Sequence, residues 1–184
     1  MSGKPENRRV RMTKRLLKDS LLELLEQKDL SDISVTAICE GADIHRSTFY
    51  KYYKDPSVLL RDIEQDALNQ IPVPPETLDQ QGEESLLCAT TAFFDYVKEN
   101  ERIFRVLFSE SVYADFSARL VELLCSQLII GIESENELNS RYLRLYIANG
   151  TVGMLKEWIE TGFPVSSRKI AEMMYYLSRK LSTD

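Results

Sequence analysis

Residues 34–53, SVTAICEGADIHRSTFYKYY, constrain this chain more than any other segment, because within twenty positions they impose two short helices and a tight turn. Ser34 is placed to N-cap a helix in which Val35, Ile38 and Cys39 line one side, and Gly41-Ala42-Asp43 interrupts that helix after about two turns. Ile44 is expected as a buried plug. His45 opens a second helix in which Phe49 and Tyr53, four apart, face inward, while Arg46, Ser47, Thr48, Tyr50 and Lys51 are left outside. That outward set can donate hydrogen bonds to phosphates and to base edges.

The charge distribution bears on the same segment. The net charge of −6 argues against a nucleic-acid partner only if it is read as one number. Residues 1–61 carry 12 Lys/Arg against 9 Asp/Glu, whereas residues 62–184 carry 11 against 20. Seven bases (Lys4, Arg8, Arg9, Arg11, Lys14, Arg15, Lys18) fall in the first eighteen residues. A basic cluster beside a helix-turn-helix is an electrostatic footprint for phosphates, and an acidic remainder suppresses indiscriminate binding. Standing alone, the tract would also read as a solvated basic terminus.

Other function classes are disfavoured by what is scarce. Cys39, Cys88 and Cys125 are odd in number and form no CxxC pair, so a disulfide framework is not expected and a reducing cytoplasm fits. With His45 the only histidine, a multi-histidine metal site is excluded, and a Ser/His or Cys/His nucleophilic pair would have to use His45 itself. Neither catalysis, nor a metal, nor a cofactor is expected. No apolar run approaches the roughly 20 residues of a membrane span, and the N-terminal bases are not followed by the hydrophobic stretch of a signal peptide.

The hydrophobic period is helical almost throughout, giving an all-α fold. A first helix is expected over residues 11–28, with Leu16, Leu17, Leu21, Leu24 and Leu25 as its apolar stripe and Leu30 and Ile33 completing a small core. Asp55-Pro56 starts a fourth helix, Asp55 as N-cap and Pro56 at the first helical position, where its missing N–H costs nothing. Pro72, Pro74 and Pro75 end it near residue 71, and the polar stretch through Gly82 reads as a loop and domain boundary. Further helices are expected at about residues 84–99, 101–109, 114–133, 138–161 and 166–181. Ile103, Phe104, Leu107 and Phe108 give the second of these a buried face. Gly162-Phe163-Pro164 is the stop before the last helix, which Ser166 or Ser167 caps.

SVTAICEGADIHRSTFYKYYKDPSVLL resembles the DNA-binding domain of the TetR family of bacterial regulators. Ile38, Ala42, Ile44, Thr48, Phe49, Tyr50, Tyr52 and Tyr53 fit the places of the family pattern, and the likeness spans about residues 10–70. Three positions depart from it. Asp43 stands at the turn glycine and tolerates a left-handed backbone better than most residues. His45 replaces the cap serine, and Pro56 replaces a phosphate-touching lysine whose part only Lys54 could take.

The resemblance implies a homodimer of two-domain, all-α subunits. Residues 10–70 would form a three-helix DNA-binding domain, with the helix-turn-helix at about 33–52. A linker helix would join it to a helical ligand-binding and dimerisation domain at residues 83–184. The third helix of each subunit would enter a major groove of a double-stranded operator, about 34–36 Å apart in a simple helix-turn-helix dimer. Arg46 would read a base edge, since a guanidinium pairs bidentately with guanine. Ser47, Thr48 and Lys51 would read in second rank, His45 would add a contact, and Thr36, Tyr50, Tyr52 and Lys54 would hold phosphates. Arg8, Arg9 and Arg11 would reach the DNA as an arm.

In the second half, GTVGMLKEWIETGFPVSSRKIAEMM looks like the version found in one subset of the family's C-terminal domains. Gly150, Gly153, Leu155, Trp158, Met173, Met174 and Leu177 would then belong to a four-helix dimer interface. Phe93, Tyr96, Phe104, Phe108, Tyr113, Phe116 and Tyr146 suffice to line an apolar cavity for a small effector, although such an aromatic stripe also reads as core. An effector would shift the balance between subunit arrangements through its differential affinity for them. The functional expectation is a cytoplasmic, non-enzymatic, ligand-responsive repressor. The alternative is an interaction protein that keeps the fold but acts as a coactivator through protein partners.

Overall fold

The computed structural model describes residues 8–72, 82–110, 112–128 and 137–182. They form nine α-helices and no strand. The chain divides into two compact units after Ala67, inside the fourth helix.

The N-terminal unit contains α1 (Arg8–Leu25), a single 3-10 turn (Leu30–Asp32), α2 (Val35–Gly41), α3 (Arg46–Tyr52) and the start of α4 (Pro56–Asn69). Helix α1 already includes Arg8, Arg9 and Arg11, so these bases stand on a helix and not in a preceding arm. Good helix formers and the absence of a breaker extend it toward the N-terminus. Its buried stripe is Leu17, Ser20, Leu21, Leu22 and Leu25, while Leu16, expected in that stripe, is 40% exposed at its edge. Ile33, Ile38, Phe49, Tyr53 and Leu59 complete the core of the unit. Phe49 and Leu59 are wholly buried, and each such side chain contributes about 1.5–3 kcal/mol relative to exposure.

The serine in the α1 stripe has a reason. Its hydroxyl, buried between helices, donates to the Ile38 carbonyl at 2.9 Å. Gly41, the last residue of α2, faces the same hydroxyl so closely that a Cβ there would overlap Ser20 Oγ. A small polar side chain on α1 and a missing one on α2 thus set how near the two helices lie.

The second unit contains α5 (Gly82–Glu99), α6 (Glu101–Leu107), α7 (Tyr113–Leu123), α8 (Glu137–Glu160) and α9 (Ser167–Ser182). Helix α7 is followed by a wider π-helical turn, Leu124–Leu128, that no sequence pattern announces. The segment expected to continue that helix through residue 133, and most of the proline-rich loop beyond Pro72, lie outside the described residues. Rings hold this unit together: Phe94 meets Phe93 at 5.2 Å and Trp158 at 5.4 Å, and Phe116 meets Phe104 at 6.1 Å and Phe108 at 5.6 Å. Edge-to-face pairs of this kind contribute about 0.5–1.5 kcal/mol each beyond their burial.

Helix α8 ends at a left-handed Gly162, φ 76°. The Gly162 amide donates to the Ile159 carbonyl at 3.1 Å and the Phe163 amide to the Trp158 carbonyl at 2.8 Å, satisfying two terminal acceptors. Phe163, itself at φ 58°, closes on the Trp158 ring at 4.7 Å, and the indole N–H donates to the Val165 carbonyl at 3.0 Å. Ser166, not Ser167, caps α9, accepting from the Lys169 amide at 3.2 Å.

Gly41→Ala should lower stability by about 1–3 kcal/mol through forced repacking. Ser20→Ala should cost about 1 kcal/mol, and combined with Gly41→Ala should recover part of the first loss because the overlapping oxygen is gone. Urea unfolding of the four proteins measures the coupling, and strictly additive costs would contradict the proposed overlap.

Candidate nucleic-acid interface

The turn between α2 and α3 is closed by the main chain in the same way as the end of α8. The Asp43 amide donates to the Glu40 carbonyl at 3.2 Å and the Ile44 amide to the Cys39 carbonyl at 2.9 Å. Asp43 occupies the left-handed position, φ 53°, that glycine usually fills. Ser34 caps α2 by accepting from the Ala37 amide at 3.1 Å. His45 caps α3 with its backbone alone: its carbonyl accepts from Thr48 and Phe49, and its imidazole makes no capping hydrogen bond.

From that start α3 sorts its side chains sharply. Phe49 is wholly buried, and Tyr53, just past the helix end, is 4% exposed. His45, Arg46, Ser47, Tyr50, Lys51 and Lys54 are exposed, Thr48 and Tyr52 are half-buried, and Thr36 is exposed at the start of α2. Tyr50 stands with its edge on Phe49, and the Lys51 ammonium lies 5.6 Å from the centre of the Tyr52 ring. Among the described residues no carboxylate pairs with Arg46. Eight of the nine expected contact residues thus fall on α3 and its two ends, and Thr36 lines a hollow with His45 and Arg46.

Next to them is a surface hollow of about 310 Å³ lined by Thr36, Cys39, Glu40, Asp43, Ile44, His45 and Arg46. Ile44 is half-buried there and not the fully enclosed plug that its apolar character suggested, because it sits at the open end of the turn. Burial pushes the Cys39 thiol up, against the lowering effect of Arg46 and with a further upward push from Glu40. Glu40 carries no signal in a sequence pattern that points to donors, and Asp43 enters that pattern only as the residue at the turn glycine.

Behind α3 a polar cluster joins three helices. Tyr53 Oη donates to Asp62 Oδ2 at 2.7 Å, and Lys18 Nζ on α1 pairs with Asp62 at 2.9 Å and Asp66 at 2.6 Å on α4. Lys18 is only 16% exposed, so these pairs are less screened than surface ones. Burial raises the Asp62 pKa, but the hydrogen bonds from Tyr53 and Lys18 and the charges of Lys18 and Lys14 outweigh it, leaving the carboxyl below its ordinary range. Asp55 starts α4 as the sequence suggested, accepting from Ser57 Oγ at 2.6 Å and the Val58 amide at 3.0 Å, with Pro56 first in the helix.

In the second unit Phe93, Phe104, Phe108 and Phe116 are buried among other rings, Tyr96 is half-buried with its ring 5.6 Å from Phe104, and Tyr146 lies 66% exposed on the far face of α8. The Tyr113 side chain lies outside the described residues. Leu155 and Trp158 are in the core, at 0% and 2% exposure. Gly150 and Gly153 have open space around them, Met173 and Leu177 are exposed, and Met174 is half-buried. Helix α8 is thus apolar on two sides: Ile147, Ala148, Val152 and Ile159 face the core, and Tyr142, Leu145 and Tyr146 face outward.

Residues 84–180 match the family model TetR_C_8, the transcriptional regulator C-terminal region, over more than half of the chain. The chain belongs to the TetR family of transcriptional regulators. No curated protein matches it. Among solved structures, the TetR-family chain resembles a TetR transcriptional regulator from Streptococcus agalactiae 2603V with a TM-score of 0.71 at 17% identity, covering 93% of this chain and 96% of that one. NalD, the secondary repressor of the MexAB-OprM multidrug efflux pump in Pseudomonas aeruginosa, matches with a TM-score of 0.67 at 16% identity over 95% and 97%. The dihydroxyacetone kinase operon activator DhaS matches with a TM-score of 0.64 at 19% identity over 91% and 94%. At such identities the likeness is one of fold. The all-α architecture with an N-terminal helix-turn-helix is that of TetR regulators, and no helix among the described residues is long and apolar enough to cross a membrane.

The depressed Asp62 pKa gives this TetR-family protein a defined acid sensitivity. The unfolded chain takes up a proton at an aspartate near pH ~3.9, and the folded chain only lower still, so the stabilisation is complete above that value and drains as the pH falls through the folded one. Asp62→Asn should therefore be less stable than wild type at neutral pH, with the gap narrowing below about pH 4. Urea midpoints measured against pH would show this, and a pH-independent gap would contradict it.

Proposed function

We propose that the chain is a sequence-specific, DNA-binding transcriptional regulator that acts as a homodimer on a double-stranded operator, represses transcription there, and releases it in response to a small-molecule effector. The observation that carries this reading is the outward rank of Arg46, Ser47, Tyr50 and Lys51 on a helix whose opposite side is anchored by Phe49. In that arrangement Arg46 reads a base edge, Ser47, Thr48 and Lys51 assist, and Thr36, His45, Tyr50, Tyr52 and Lys54 touch the backbone. Residues 10–70 form the DNA-binding domain and residues 83–184 the regulatory and dimerisation domain, in the cytoplasm.

The dimer reading is supported by the second apolar face of α8. Tyr142, Leu145, Tyr146 and, on α9, Met173 and Leu177 are between 44% and 66% exposed in the single chain. Contiguous apolar exposure of this kind marks an interaction surface. Gly150 and Gly153 on the same face of α8 allow close helix approach. The effector would lodge against the aromatic cluster around Phe104 and Phe116 and bias the subunit arrangement.

A second reading, a TetR-fold coactivator, is favoured by one pair of residues. Glu40 and Asp43 set two carboxylates beside α3, where a phosphate backbone would meet them, and the operon activator DhaS shows that the fold is shared with a protein named for activation. Selection of bound fragments from the source genome, followed by titration at several salt concentrations, separates the two. Steeply salt-dependent, sequence-selective binding supports the first, and no binding at low salt supports the second.

Arg46→Ala should weaken operator binding by about 1–3 kcal/mol and binding to a scrambled duplex by much less, as read by fluorescence anisotropy. Equal losses on both duplexes would remove the base-reading role. In sedimentation equilibrium at micromolar concentration the wild type should be a dimer and Tyr146→Asp predominantly a monomer with unchanged helix content. A monodisperse wild-type monomer would overturn the proposed interface.

A further inference from the structure

The chain holds a single histidine, and the fold sets it at the head of α3 beside the residue that reads DNA in the proposal above. The backbone of His45 is extended, φ −66° and ψ 141°, and its carbonyl accepts from the Thr48 amide at 2.8 Å and the Phe49 amide at 3.2 Å. The main chain thus starts the helix without the ring. The imidazole is exposed, makes no capping hydrogen bond and, among the described residues, takes part in no ion pair. It has no structural task that a proton would disturb.

The groups around it come from three elements. Helix α2 brings Glu40 and Cys39, the turn brings Asp43, and α3 brings Arg46. The two carboxylates and the guanidinium are the charged groups that line the hollow with the ring. Free carboxylates change charge below about pH 5 and the buried Cys39 thiol, pushed upward, stays neutral well above neutrality. Histidine is the side-chain type whose charge can change within the physiological pH range, and His45 is the one histidine of the sequence.

Resting on the DNA-binding reading, we propose that binding of duplex DNA takes up one proton from solvent at His45 of each subunit. The ring enters the complex as imidazolium and donates an N–H to a phosphate oxygen. A phosphate beside the ring stabilises the charged form more than the neutral form, whose single N–H can donate without the charge, so affinity and proton uptake are linked. The charge-assisted bond also neutralises one more phosphate, which steepens the salt dependence at low pH. The departure from serine at this position gives the reading helix a contact whose strength follows pH.

The test uses the full chain and a fluorescently labelled duplex, either the selected operator or, for backbone contacts alone, a random sequence. Anisotropy titrations run from about pH 5.5 to 8 at fixed ionic strength on wild type, His45→Gln and His45→Arg, with circular dichroism confirming the fold of each. Wild type should tighten as the pH falls, by at most about tenfold per unit for each subunit engaged, or about a hundredfold for the dimer. His45→Gln should show no such slope, and His45→Arg should bind with a flat profile. The slope of log affinity on log salt should be steeper by about 0.9 per subunit, about 1.8 for the dimer, for wild type at the acid end than at the alkaline end. A flat wild-type profile, or a slope that survives in His45→Gln, overturns the proton uptake while leaving DNA binding in place. Failure of wild type to bind any duplex at low salt overturns it together with the reading on which it rests.

Discussion

The left-handed backbone at Asp43 is the constraint on which the N-terminal unit turns. Only with that residue at positive φ do the amides of Asp43 and Ile44 fold back onto α2, and only then does α3 leave in a direction that points Phe49 and Tyr53 inward. Glycine takes this conformation freely, and an aspartate accepts it at a modest cost. The cost is met by burial: Phe49 at 0% and Ile38 at 0% exposure gain more than one strained residue loses. The near contact of Ser20 with Gly41 then fixes α2 against α1, so the outward side chains of α3 stand on a scaffold set by three small or polar positions.

Much of this was legible because it is local. Ser34 before an apolar period, Asp55-Pro56 before another, and Gly162 after a third each specify a helix end through main-chain groups a few residues away. The inward and outward faces of α3 followed from its period. The cluster of Lys18, Tyr53, Asp62 and Asp66 was not legible, since its partners lie up to 48 residues apart and nothing in local spacing pairs them. Leu16 by its period and Ile44 by its apolar character read as core, yet one sits at the edge of its stripe and the other at an open turn. Ser20 was visible as a lone polar residue in a leucine stripe, but its meaning needed the neighbour on α2.

The second unit shows a different limit. The apolar residues of α8 fall on more than one side of the helix, so its period does not single out one buried face. The fold of one chain covers only half of it. Leu155 and Trp158 belong to the inner half, although they share a segment with Gly150 and Gly153, which belong to the outer one. Residues a few positions apart on one helix thus serve two separate surfaces, and the sequence pattern alone does not assign them.

Trp158 is the only tryptophan of the chain. Its indole is enclosed by Phe94 and Phe163, tethered to the Val165 carbonyl and set at the end of α8. The protein therefore carries one indole fluorophore, seated where the last two helices, α8 and α9, are joined and with its polar edge on a turn held in a left-handed conformation. Its emission colour and its accessibility to a quencher report on that junction alone, with no second indole to blur the signal and no label to introduce.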